Sequence, residues 1–259
     1  MSGRLQNKCI LLTRPQHQLE NLANLISTEA GDVVLFPTIE IESISVTSVA
    51  KNSFDNIQEY SHIIFIRRNA VKYAFASKLI DTDKLKKLHV IAVGVGTAEE
   101  LAKHGLSDVV HTGVQANSEV LLEQPQLNST AIKDANILIV RGTGGRELPA
   151  QHLSQRGAKL NYAEVYQRSL PVYGNKFLKD IWDNNCYAAA IVTSNDGLKN
   201  LIQLTPDEYR LNLFNTPLIL MSERLLELAK QYGFVSRLHV TETQTDAGLF
   251  LALLDAIGD

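Results

Sequence analysis

The sequence predicts an α/β protein built of two parallel-sheet lobes that descend from one duplicated unit. Three observations carry that reading. Short, near-continuously apolar runs alternate with amphipathic helical stretches along the chain. Three strand–junction–helix blocks occur twice, each pair offset by about 126 to 127 residues. At 259 residues the chain is long for one core and comfortable for two.

The elements follow in order. CILLTRP (9–15) leads into a helical stretch ending at Gly31, and its counterpart is ILIVRGTGG (137–145) with a stretch ending at Gly157. SHIIFIRRNAV matches YAAAIVTSNDG, so that Arg67 and Arg68 stand where the second copy has Thr193 and Ser194. VIAVGVGTAEELAKHGL (90–106) matches PLILMSERLLELAKQYGF (217–234). Runs such as CILLT, HIIFI, VIAV, ILIV, AAIV and LILM suit parallel strands covered on both faces. Thr97 with Glu100 reads as a capping box, Ser222 as an N-cap, and Gly105, Gly157 and Gly233 as helix ends. VVLFPTIEIESISV (33–46) and KLNYAEVYQRSLPVY (159–173) alternate apolar with polar and contain proline, which suits extended connectors. QPQLNST (124–130) reads as a surface loop. From the repeat alone, two contiguous halves split near residue 128 are expected.

Composition excludes several function classes. The hydrophobic fraction of 45% and charged fraction of 20% are ordinary for a globular protein. A net charge of −3 argues against a nucleic-acid partner while allowing a local basic site. No apolar run approaches the ~20 residues that span a bilayer, and MSGRLQNKCILLTRP lacks a charged leader before a long apolar region, so no membrane association and a cytoplasmic location are expected. Cys9 and Cys186 sit in apolar runs and are expected as buried, reduced thiols. The seven histidines form no HExxH and no ligand-spaced cluster, so no metal is expected.

Open parallel α/β sheets bind ligands outside the carboxyl ends of their strands, beside helix N-termini. Six junctions occupy such places: Thr13-Arg14, Arg67-Arg68-Asn69, Gly94-Val95-Gly96-Thr97, Arg141-Gly142-Thr143-Gly144-Gly145, Thr193-Ser194-Asn195 and Ser222-Glu223-Arg224. Hydroxyls, glycines and arginines dominate them, an inventory for an anionic ligand. A dinucleotide is disfavoured, because GVGTAE and GTGGRE carry Glu99 and Glu147 where G-x-G-x-x-G needs its third glycine. No P-loop and no G-x-S-x-G elbow is present. Glu40 and Glu42, two apart on a connector, read as a solvated edge. Tyr166 in EVYQR alternates with Val165 and Gln167, so it either packs over the connector or points away from it as a hydroxyl donor, with Arg168 on the same face.

LLTRP at 11–15, VRGTGGRELPAQHLSQRGA at 140–158, VYQR at 165–168, VTSNDGL at 192–198 and SERLLELAKQYGF at 222–234 resemble the uroporphyrinogen-III synthase family, in order and across nearly the whole chain. The resemblance implies two α/β lobes joined by a two-stranded β ribbon, one lobe discontinuous. Lobe one would take 1–37 and 171–259, lobe two 45–163, and the ribbon 38–44 and 164–170, the lobes facing each other across one cleft. It implies a lyase that converts hydroxymethylbilane to uroporphyrinogen III with loss of water and inversion of ring D, without metal or organic cofactor. A monomer in transient contact with the preceding deaminase is expected. Tyr166 matches the family's ribbon tyrosine and would assist departure of the hydroxyl. Thr13, Arg14, Thr193, Ser194 and Ser222 from lobe one, and Thr97 and Arg141 from lobe two, would bind substrate. Arg14 could equally brace a strand end by pairing with a carboxylate. Arg67 and Arg68 depart from the family pattern of small hydroxyl residues. Arg68 is read as a fork for a substrate carboxylate and Arg67 as surface. The competing readings are a non-catalytic two-lobed anion binder and a sugar-nucleotide transferase, the latter lacking a diphosphate site.

Overall fold

The computed structural model describes residues 3–45, 47–113, 118–144, 147–183 and 186–258. Gly145 of the glycine-rich junction and Val46 of the first connector lie outside the described residues. The strands are β1 Cys9–Leu12, β2 Asp32–Leu35, β3 Glu40–Ser43, β4 His62–Ile66, β5 His89–Val93, β6 Val110–His111, β7 Asn136–Gly142, β8 Lys159–Ser169, β9 Tyr187–Val192, β10 Leu218–Leu220 and β11 Leu238–Val240. They form two sheets, ordered β11-β10-β9-β1-β2 and β6-β5-β4-β7-β8-β3. The chain divides into two compact units, 1–40 with 169–259, and 41–168.

In the first unit β1 pairs in parallel with β9 and β2, and β9 with β10. The first copy of one repeat block therefore shares a sheet with the second copies of the other two. In the second unit β7 pairs in parallel with β4 and β8 in the equivalent places. Each sheet has a switch point, β1/β9 and β4/β7, where a ligand crevice is expected at the carboxyl ends of the strands.

The apolar runs follow from burial on both faces. Along β1, Ile10 and Leu12 pack with Leu22, Ile26 and Leu253, whereas Leu11 packs on the other side with Leu198, Leu201 and Leu225. Along β4, Ile63 and Phe65 face Val71 and Leu101, and Ile64 faces Leu121 and Leu153. Gly105, Gly157 and Gly233 end helices at φ of +80°, +94° and +91°. The next amide reaches back across the turn in each case, Leu106 to Leu101, Ala158 to Leu153 and Phe234 to Ala229, with the new side chain buried.

The two stretches read as extended connectors carry strands: β2 at an edge of the first sheet, and β3 beside the long β8 in the second. The chain changes from one compact unit to the other within each of them, at 40/41 and 168/169. Two other expectations are revised. Cys186 is exposed, because β9 begins one residue later at Tyr187. Cys9 is half-buried, and its thiol pKa is raised by burial, then by the nearby Asp32 and Cys186. Thr97 does not cap its helix. The N-cap is Gly94, and Thr97 lies one turn inside with its hydroxyl donating 2.7 Å to the Val93 carbonyl. Among the described residues no helix is long and apolar enough to cross a membrane.

Candidate active site

In the first unit, three strand ends at the switch point carry hydroxyls. Thr13 is buried and donates 2.7 Å to the Ile191 carbonyl, tying the end of β1 to β9. Thr38 donates to the Thr13 carbonyl, and Asn200 donates to the Thr38 carbonyl. Ser194 caps the 195–204 helix by accepting from the Gly197 amide at 3.0 Å, which leaves its own proton available. Thr193 precedes it, half-buried. Ser222 occupies the N-cap of the 223–231 helix, as the sequence led one to expect, but its hydroxyl makes no cap bond. These last three side chains can still donate to an anion lying over the helix ends.

The junction arginines are engaged. Arg14 is ion-paired with Asp246, the first residue of the 246–257 helix, and Asn21 donates to the other oxygen of that carboxylate. Its side chain is only 13% exposed, and this is the bracing role that the sequence left open. Arg141, 9% exposed, lies between Glu147 at 2.8 Å and Glu164 at 3.2 Å, its guanidinium 3.8 Å above the Tyr162 ring. Tyr162 donates 2.6 Å to Glu147. Burial, then that bond, push the phenol up to about 12. The same bond, and then Arg141, hold the Glu147 carboxyl below its ordinary range. Two carboxylates around one guanidinium leave no surplus positive charge for a ligand.

Arg68 differs. It donates 3.0 Å to the Gly96 carbonyl and pairs with Glu99 at 2.9 Å, joining the two junctions after β4 and β5. Both partners of this pair are about half exposed, 52% and 60%. Such a pair contributes about 0–1 kcal/mol, so a substrate carboxylate can compete for it. Of the three arginines expected at the site, this one alone is reachable in that sense.

Tyr166 is 3% exposed and belongs to the core of the second unit. The alternation that would turn it away from Val165 fails at a β-bulge. Arg141 opposes Glu164, but Gly142 opposes Tyr166, so Val165 and Tyr166 both face the same core. The ring stacks on Tyr73 with centroids 5.7 Å apart and lies over Gly142. Its neighbour Gln167 donates 3.1 Å to Glu42, so one of the two connector carboxylates is partnered rather than merely solvated.

Sequence reasoning missed Glu147, Glu164, Tyr162, Asp246 and Tyr73. Tyr162 and Glu164 could have been found, since they stand two apart on a strand and so share a face. Asp246 gave no local signal, being 232 residues from Arg14.

The HEM4 family model, described as uroporphyrinogen-III synthase HemD, matches residues 20–250. The uroporphyrinogen-III synthase of Salmonella typhimurium is 32% identical over 229 residues, covering 87% of this chain and 92% of that protein. The Escherichia coli enzyme of that name is 31% identical over 228 residues, with the same coverage. Uroporphyrinogen-III synthetase from Helicobacter pylori superposes over 96% of this chain and 99% of its own, with a TM-score of 0.65 at 14% identity. A mutant synthase from Thermus thermophilus gives 0.60 at 14% over 96% and 98%. These solved structures share the fold.

Proposed function

This chain belongs to the uroporphyrinogen-III synthase family, and from that premise we propose that it cyclises hydroxymethylbilane to uroporphyrinogen III in tetrapyrrole synthesis, as a hydro-lyase. The match across residues 20–250 carries the reading. In the proposed reaction Tyr166 protonates the terminal hydroxyl. The carbon–oxygen bond breaks, its electron pair leaves with water, and an azafulvene cation remains. The substituted carbon of ring D supplies the electron pair for a new carbon–carbon bond, giving a spirocyclic intermediate. That intermediate fragments and recloses with ring D inverted, and the last proton lost restores the phenol. The bilane also cyclises unaided to the type I isomer, so the protein must govern geometry, through positioning and preorganised donors.

The hydroxyls of Thr193, Ser194 and Ser222 and the exposed fork of Arg68 are assigned to the substrate carboxylates. Thr13, Arg14, Thr97 and Arg141 are assigned to holding the strand and helix ends that present them, because the threonine hydroxyls donate to backbone carbonyls and both guanidinium charges are paired with carboxylates.

The test supplies freshly generated hydroxymethylbilane and resolves type I from type III product after oxidation. Type III is expected well above the uncatalysed blank, and its absence would leave a non-catalytic anion binder. Tyr166→Phe is expected to slow turnover by ~10²-fold or more, the range of a general acid. Arg68→Ser is expected to raise KM with little change in kcat, as loss of uniform binding does.

A further inference from the structure

We propose that Gly142 and Tyr73 are positioning residues for Tyr166: together with the bulge at Val165 they form a fitted seat that fixes where the tyrosine hydroxyl is held. This rests on the reading of Tyr166 as the proton donor.

The seat is read from three contacts within one unit. A methyl group at Gly142 would lie 2.5 Å from the Tyr166 ring carbon that bears the hydroxyl, and 2.6 Å and 3.0 Å from the two ring carbons beside it. The two shortest are closer than real Cβ contacts come, so with any side chain at 142 the Tyr166 ring would have to shift. Only a residue without Cβ lets the hydroxyl end of the ring rest on β7. Gly142 has no positive φ, so the close approach, rather than backbone freedom, is what calls for glycine here. The second support is Tyr73, stacked on the ring at 26° between planes. Tyr73 is itself anchored, its hydroxyl donating 2.6 Å to the Ile41 carbonyl. The bulge completes the arrangement, since without the extra residue Gly142 would face Val165. The Thr143 amide then bonds the Tyr166 carbonyl at 2.9 Å and locks the register beyond the bulge.

An ordinary core tyrosine has no need of so exact a position for its hydroxyl end. Among the described residues nothing hydrogen-bonds that hydroxyl. Its placement is therefore set by packing on the ring.

A double-mutant cycle tests this, with kcat for type III product read for the native protein, Gly142→Ala, Tyr166→Phe and the double variant. Gly142→Ala is expected to lower kcat ~10-fold or more at nearly unchanged KM, as small misplacements of a reacting group do. In the Tyr166→Phe background the same change should cost less than about twofold, because the misplaced hydroxyl is already gone. Equal losses in both backgrounds, or no loss in either, would overturn the seat. If Tyr166→Phe alone leaves turnover unchanged, the parent reading fails and the seat fails with it; a slow Tyr166→Phe with equal losses sinks the seat alone. Should Gly142→Ala not purify folded, Tyr73→Leu takes its place in the cycle under the same criteria. Tyr73→Phe, which keeps the ring and loses the anchor to Ile41, is expected to retain most of the activity that Tyr73→Leu loses.

Discussion

The junctions after β9 and β10 and those after β4 and β5 are duplicates that turn from strand to helix by different means. In the first unit two residues make the turn, Thr193-Ser194 and Met221-Ser222. Each N-cap there is extended, with φ of −153° at Ser194 and −165° at Ser222. In the second unit a single residue makes it, Arg67 or Gly94, at φ, ψ of 78°, 154° and 90°, 152°. That region is open to glycine and strained for other residues by about 1–3 kcal/mol. Shortening the junction by one residue concentrates the whole reorientation into one pair of dihedrals. Arg67 therefore stands in the N-cap place of Ser194, and Arg68 in the place of the first helical residue, one position from where sequence alignment of the repeats puts them. Hydroxyl caps in one unit and a strained backbone in the other follow from junction length.

The largest effect that would break this comparison comes from exchanging the two strained residues. Gly94→Ala should destabilise the second unit by about 1–3 kcal/mol, whereas Arg67→Gly should stabilise it by about 1 kcal/mol or more, both read by denaturant unfolding. Loss of stability in Arg67→Gly would show that the arginine side chain outweighs its backbone strain. Next in size are the caps. Ser194→Ala should cost about 1 kcal/mol, since the bond to Gly197 is lost, while Ser222→Ala should change stability by no more than about 0.5 kcal/mol, there being no cap bond to lose. If Ser222 donates to substrate, its loss appears in KM instead.

The smallest expected effect is a pH dependence confined to the second unit. Buried His62, at the start of β4, has its rings 4.8 Å from those of His89 at the start of β5. Its pKa is lowered from the ordinary 6.5, first by burial and then by His89. The corresponding strands of the first unit begin with Tyr187 and Leu218. Because the folded value lies below the unfolded one, the unfolded chain binds the proton first as pH falls. Stability is then whole above about 6.5 and declines below it. His62→Asn should flatten that decline in thermal unfolding between pH 7 and 5; an unchanged slope would assign it to other groups.

Much of the site was legible because the repeat located the strand ends and parallel strands locate ligands. Thr193, Ser194 and Ser222 are where that logic puts them. The ion pairs of the arginines were not legible, because Asp246 is remote in sequence from Arg14 and Glu164 reaches Arg141 only through strand pairing. A guanidinium reads as a free donor until the carboxylate that neutralises it is brought alongside. Thr97 was misread for a subtler reason: the helix starts three residues earlier than a cap at Thr97 requires, which moves its hydroxyl from the cap to the first turn, where it bonds its own backbone.

By itself the sequence determined the duplicated α/β units, the strands buried on both faces and the glycine helix ends. Those depend on periodicity and on local backbone preference, which neighbouring residues suffice to specify. Tertiary structure decided which repeat copies share a sheet, which arginines are spent, how many residues each junction has, and the bulge that lays Tyr166 over Gly142. Each of these is a pairing between distant segments, settled by hydrogen-bond register and packing once the strands meet.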